Sequence, residues 1–189
     1  MFSSYAVAII TADAVRDGLT SFIVQDIEKY LAIKVVMTKG LQLTPEIVAQ
    51  IYPRIRSRHF YPSVVRNMTL GPSQLLVIRG KDNSTCLKLD LLKGSFKEID
   101  GQVKTTGLRA KYKLPATEDY IQKGYSGTQL LDRMFEARLH TTSTHRETLE
   151  HCCLLLDDGD LPLIKKVAPD LYDELKKCHP LLKFLTEQF

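Results

Sequence analysis

Apolar and polar positions alternate along this chain in segments whose periods read as strands and helices in turn. Tyr5 to Thr11 is a continuous apolar run, the pattern of a fully buried central strand. Asp13 to Gly18 reads as a connector. Leu19, Phe22, Ile23, Ile27, Tyr30 and Leu31 then recur at helical spacing, and Val35-Val36-Met37 opens a second strand. Thr44-Pro45-Glu46 is a helix start with threonine as N-cap and proline in the first turn, and Pro53 ends that helix. After Gly71-Pro72 comes the apolar run Leu75-Leu76-Val77-Ile78, followed by a helix over Ser84 to Lys93 closed by Gly94. A polar stretch from Ser95 to about Asp132 leads into a strand-like run, Phe135 to Leu139, and a helix from about Ser143 to Leu156. The main elements therefore run βαββαβ, which predicts an α+β, ferredoxin-like antiparallel sheet with helices on one face. Asp157-Asp158-Gly159-Asp160 breaks the chain, and Leu161 to Phe189 reads as a helical tail on the same core. The expected organisation is a domain over residues 1–156, with an insertion at about 95–132, and a C-terminal helical extension over 157–189.

Composition narrows this picture modestly. A length of 189 residues with 44% hydrophobic and 25% charged residues fits one globular core. No apolar stretch is long enough for a membrane span, so neither a membrane nor a targeting segment is expected. Cys86, Cys152, Cys153 and Cys178 follow no metal-ligand spacing, and a cytoplasmic setting is the expectation. The net charge of +4 gathers in two clusters, Arg54, Arg56, Arg58 and Arg66, and Lys104, Arg109, Lys111 and Lys113. Such clusters suit phosphate. Phe60 and Tyr61 beside the first cluster allow base stacking, but a charge run is ordinarily a solvated face, so nucleic acid is not an expected partner.

His140 is the residue with the most chemistry to offer. It stands where a strand gives way to the helix start Thr141-Thr142-Ser143-Thr144, and helix N-termini attract phosphate. Alternation places Glu136, Arg138 and His140 together on a polar face.

Four segments in order resemble the nucleoside diphosphate kinase family. Ala8 to Leu19 is similar to the family's first strand and turn, with Asp13, Val15, Gly18 and Leu19 in matching places. Tyr52, with R-H-F-Y-P-S-V-V from Arg58 and M-T-L-G-P from Met68, resembles the family's tyrosine and its R-P-F-F-P and M-x-S-G-P runs. Thr106 to Tyr112 looks like G-T-I-R-G-D-F, and Leu139 to Thr144 looks like I-H-G-S-D-S around the family's phosphorylated histidine. The resemblance implies phosphoryl transfer from a nucleoside triphosphate to a nucleoside diphosphate through a phosphohistidine at His140. It further implies Tyr52 beside that histidine, Phe60 stacked on the base, Arg109 on phosphate, Mg2+ carried with the nucleotide phosphates, and a homo-oligomer. Read as residues alone, Phe60 is equally a core aromatic, and Tyr52 also fits the apolar stripe of Val48, Ile51 and Ile55.

Departures from the family pattern predict weakened transfer. The family's lysine falls at Thr11, which brings no charge to a phosphate, and Lys88, Lys93 and Lys111 are candidates to replace it. The family's asparagine before the histidine falls at Ala137, its following glycine at Thr141, and its later glutamate at His151. Ser95 is the candidate for a phosphate-contacting hydroxyl. No protein side chain is expected to hold a resident metal. The alternative expectation is a catalytically inactive, kinase-like fold serving as a nucleotide-binding or protein-interaction module.

Overall fold

The computed structural model describes residues 4–99, 102–113 and 117–186, with side chains of 96–104 and of residues from 179 onward outside that description. Lys104 of the second basic cluster is among the side chains left out. The elements are β1 (Ser4–Ile10), α1 (Ala12–Arg16), α2 (Thr20–Leu31), β2 (Lys34–Leu41), α3 (Pro45–Ile51), a 3-10 turn (Pro53–Ile55), α4 (Tyr61–Thr69), β3 (Ser73–Gly80) and α5 (Thr85–Lys93). They continue with β4 (Phe96–Ile99), β5 (Gln102–Thr105), α6 (Gly107–Lys111), α7 (Thr117–Gln122), α8 (Gly127–Met134), β6 (Leu139–Thr141), α9 (His145–Leu155), α10 (Leu161–Val167) and α11 (Pro169–Thr186).

Four strands form one sheet in the order β2-β3-β1-β6 with every neighbouring pair antiparallel, the ferredoxin-like arrangement that the βαββαβ order predicts. β1 is buried along its whole length because both of its faces are covered. Ala6, Ala8 and Ile10 pack with Leu76 and Ile78 of β3 against Ala14, Ile23, Ile27 and Leu89, so α1, α2 and α5 share one face. Tyr5, Val7 and Ile9 point the other way, onto Val48, Met68, Cys152 and Leu155. That second face is not left open, as a one-sided arrangement would have it. The connections α3 and α4, the helix α9, and Ile164, Leu171 and Leu175 of α10 and α11 close it.

Local signals explain most element ends. The Thr44 side chain accepts a hydrogen bond from the Ile47 amide and Pro45 occupies the first turn of α3. Gly94 ends α5 at φ 81°. Asp13 to Gly18 is not a plain connector, since Ala12–Arg16 closes a short helix with Asp13 in its first turn.

The strand before His140 differs more. Phe135 to Arg138 is an irregular connection after α8, and β6 begins only at Leu139. Arg138 sits at φ 59°, a left-handed conformation that breaks strand alternation. It is held there by ion pairs to Asp17 (2.5 Å), Glu136 (2.9 Å) and Asp13 (3.6 Å). The expected polar face is therefore absent: Glu136, Arg138 and His140 are all buried. The charges of Glu136 and Arg138 are met by one another and by Arg16, Arg133, Asp13 and Asp17 rather than by water, and His140 lies outside this network.

Gly94 is a position where the fold requires glycine. A Cβ there would lie 1.9 Å from the Thr106 carbonyl oxygen, on backbone that already has positive φ. Gly94→Ala is expected to lower stability by about 2 kcal/mol or more. Chemical denaturation should register this as a lower midpoint, and an unchanged midpoint would contradict the close approach of α5 to the start of α6.

Candidate active site

β6 pairs with β1 so that His140 stands opposite Ile9, on the face covered by α3 and α9. α9 follows directly and buries Thr148, His151, Cys152 and Leu155 against the sheet. This folds His151 back onto His140. Their Nε2 atoms are 3.0 Å apart, and the His151 Nδ1 lies 2.9 Å from the Glu147 carbonyl oxygen. The Tyr52 ring meets the His140 ring edge to face at 4.8 Å. Among the described residues the Tyr52 hydroxyl is enclosed and has no hydrogen-bond partner. Burial pushes it up to about 12, so it remains a hydroxyl at neutral pH. Burial, followed by the positive fields of His151, Lys93 and Arg109, holds His140 well below the usual histidine range. The imidazole is thus neutral near pH 7 and keeps a lone pair.

Two cavities meet at this histidine. One, of about 470 Å³, is lined by Tyr52, Phe60, Lys93, Ser95, Arg109 and His140, with Asp90, Phe135 and Glu147 also on its walls. The other, of about 500 Å³, runs past Arg54, Arg146, Glu150 and His151. Distant parts of the chain therefore converge on one space, among them the end of α3, the start of α4, the end of α5, α6, β6 and the first turn of α9.

Not every sequence candidate arrives there. Thr11 is buried at the end of β1 beside Asp13 and lines neither cavity. Lys88 is exposed on α5, pairs with Asp82 at 2.9 Å and lines a separate small cleft. Lys111 pairs with Asp26 at 2.6 Å on the far side of α6. Of the three lysines considered as replacements for the missing cation, only Lys93 reaches the His140 cavity, where it pairs with Asp90. Burial, and after it the nearby Arg109, lowers its pKa.

Arg109 is placed differently from a side chain waiting for phosphate. Its Nε, Nη1 and Nη2 donate to the carbonyl oxygens of Ala137 (3.2 Å), Gly94 (3.1 Å) and Leu139 (3.0 Å). It ties the residues before His140 to the end of α5. Phe60 is likewise occupied, because Phe135 stacks on it with centroids 4.6 Å apart and planes 12° apart. Sequence reading missed Phe135 as a cavity residue, having placed it on the apolar face of a strand. The helix start after His140 carries a carboxylate of its own: Glu147 accepts from the Ser143 amide at 2.6 Å while the Thr144 hydroxyl caps the Glu147 amide.

One ring nitrogen each of His140 and His151 and a Glu147 carboxylate oxygen lie within 4.8 Å of one another. The rings are parallel to within 9°, with centroids 5.1 Å apart although the nitrogens are 3.0 Å apart. They therefore meet end to end, lone-pair directions along one line. A gap of 3.0 Å suits one shared proton and leaves no room between the nitrogens for a metal with bonds of ~2.0–2.1 Å.

Comparison with known proteins agrees with this architecture. The family described as nucleoside diphosphate kinase matches residues 4–124. The nucleoside diphosphate kinase of Moorella thermoacetica is 33% identical over 73 residues, covering 39% of this chain and 52% of that protein. Human thioredoxin domain-containing protein 3 is 22% identical over 113 residues, covering 58% of this chain and 19% of that protein. The match thus spans about half the length of the first relative and about a fifth of the second. Among solved structures, nucleoside diphosphate kinase from Aquifex aeolicus superposes with a TM-score of 0.60 at 15% identity, covering 84% of this chain and 98% of that one. The Pyrobaculum aerophilum enzyme gives 0.61 at 16% identity, with the same coverage of 84% and 98%. The Borrelia burgdorferi enzyme, solved with bound vanadate and ADP, gives 0.58 at 18%, covering 83% and 89%. These likenesses share the fold, and with the match over residues 4–124 they establish that the chain belongs to the nucleoside diphosphate kinase family.

Proposed function

We propose that this protein binds nucleoside di- and triphosphates in the 470 Å³ cavity and passes a phosphoryl group between them through His140. The observation that carries this reading is a neutral, buried imidazole whose Nε2 is tied to His151, while its Nδ1 has no hydrogen-bond partner among the described residues. The Nδ1 lone pair attacks the γ-phosphorus, a P–N bond forms, and the bond to the β-phosphate oxygen breaks with its electrons leaving on the diphosphate. An oxygen of a second diphosphate then displaces the imidazole. Magnesium enters with the triphosphate as part of the substrate. Lys93 supplies the cation that Thr11 does not, and the Tyr52 hydroxyl is a donor for a phosphoryl oxygen.

Mixing the purified protein with γ-labelled ATP is expected to leave an acid-labile label that disappears in His140→Ala. A wild-type protein that never labels overturns the reading. Lys93→Met should slow labelling by about 10²–10³-fold if the ammonium faces the transferred group. Initial labelling rates at saturating ATP measure it.

A second reading, binding without turnover, is favoured by Arg109, whose donors meet three backbone carbonyls, and by Phe135, which covers Phe60. Phe135 then stands where a base would stack. Phe135→Ala should tighten ADP binding by about 2–10-fold, the equivalent of ~0.5–1.5 kcal/mol of stacking returned to the ligand. Titration calorimetry with ADP measures this, and weaker binding in the variant would show that Phe135 belongs to the binding surface instead. The self-association that the family resemblance implies is tested separately by sedimentation velocity. Among the described residues no helix is long and apolar enough to cross a membrane.

A further inference from the structure

We infer that His151 is the positioning residue that fixes which nitrogen of His140 is available, and that it accepts the Nε2 proton of His140 when Nδ1 becomes bonded to phosphorus. The first half stands on geometry alone; the second half rests on the phosphotransfer reading above.

With both imidazoles neutral, the chain of hydrogen bonds has one consistent set of protons. A carbonyl oxygen only accepts, so the His151 Nδ1, 2.9 Å from the Glu147 carbonyl, must carry a hydrogen. A neutral imidazole has one N–H, which leaves the His151 Nε2 as a lone pair. The 3.0 Å contact between the two Nε2 atoms then needs a proton on His140. His140 is consequently the Nε2–H tautomer, and its lone pair is on Nδ1. A backbone carbonyl two helical contacts away thus selects the nucleophilic atom, working through one histidine upon another.

The same contact manages charge. Attack by Nδ1 on phosphorus makes the His140 ring formally cationic while Nε2 still holds its proton. Transfer of that proton along the 3.0 Å contact leaves a neutral phosphohistidine and puts the charge on His151. The His151 Nδ1–H stays on the Glu147 carbonyl, and the carboxylates of Glu147 and Glu150 favour the charged form. Displacement by the second diphosphate returns the proton to His140. Atoms and electrons balance with no further reactant.

The pH dependence follows in sign. Burial lowers the His151 pKa below its ordinary value, against the raising influence of Glu147 and Glu150 on its own helix. Lys93 from α5 and Arg109 from α6 face His140 as cations, and Tyr52 from the end of α3 is a neutral hydroxyl. Above the His151 pKa the relay is intact. Below it, His151 carries hydrogens on both nitrogens, two N–H groups face one another, and His140 can keep the contact only by moving its own hydrogen to Nδ1. Labelling is expected to fall with acid.

Nitrogen-15 NMR of the full chain with labelled histidine tests this, with His140→Gln providing the assignment. The expected spectrum near neutral pH shows His140 protonated at Nε2 and bare at Nδ1. In His151→Leu this preference should be lost, and labelling from γ-labelled ATP should slow on the order of 10-fold or more, as when an orienting partner is removed and the wrong tautomer forms. His151→Gln, whose amide oxygen accepts a hydrogen bond from His140 but cannot take its proton, should retain the tautomer, label more slowly than the wild type near neutral pH, and move the acid limb of the labelling profile to lower pH. A His140 found protonated at Nδ1 in the wild type, or a tautomer unchanged in His151→Leu, overturns the inference. If no labelling occurs at all, the phosphotransfer reading fails, while the spectra still decide the role of His151.

Discussion

The buried guanidinium of Arg109 holds the site together. It spans three backbone carbonyls: Gly94 at the end of α5, Ala137 in the connection that leads into β6, and Leu139, the first residue of β6. The connection from Phe135 to Arg138 is irregular and includes the left-handed Arg138. The Ala137 oxygen also accepts from the Leu139 amide, and a buried carbonyl without a donor costs on the order of 1–3 kcal/mol, so one planar fork that donates to three carbonyls makes a firm clamp. The clamp sets where β6 meets β1, and therefore where His140 stands. It also closes the cavity wall between Gly94 and Ala137. Burial lowers the pKa of the guanidinium, with the opposing fields of Tyr52, Asp90 and Asp13 acting the other way. Among these hydrogen bonds, Arg109 acts as a structural donor before it acts on any ligand.

Around that clamp the electrostatics are arranged in two layers. An outer layer of ion pairs neutralises the segment before β6: Glu136 is fully buried among Arg16, Arg133 and Arg138, and Arg138 reaches Asp13 and Asp17. The inner layer is different in kind. His140, His151 and Tyr52 meet as neutral rings, with the cation of Lys93 at the cavity edge. Where the family pattern has a carboxylate, this chain has an imidazole, which can take a proton but brings no fixed negative charge. A site of this kind depends on tautomer and proton position rather than on a standing ion pair.

Much of this was legible along the chain because short-range physics decided it. The unbroken apolar run of β1 announced a strand buried on both faces; the Thr44-Pro45 start and the Gly94 stop were read from capping chemistry. The alternation from Phe135 to Leu139 misled, because it arose in an irregular connection whose polar members are buried in ion pairs. Burial of a charged residue depends on partners brought from elsewhere in the chain, and no local period reports them.

The sequence alone determined the order of elements, the ferredoxin-like sheet and the family, since periodicity, caps and ordered motifs are local properties. Tertiary structure alone decided that Lys93 and neither Lys88 nor Lys111 enters the cavity, that Phe135 covers Phe60, and that Arg109 holds backbone. It also turned His151 onto His140, a contact between a strand and the second turn of the following helix. Spacing can place both histidines near β6. Which nitrogen faces which depends on how α9 packs against the sheet, and that is set by side chains far away in the sequence.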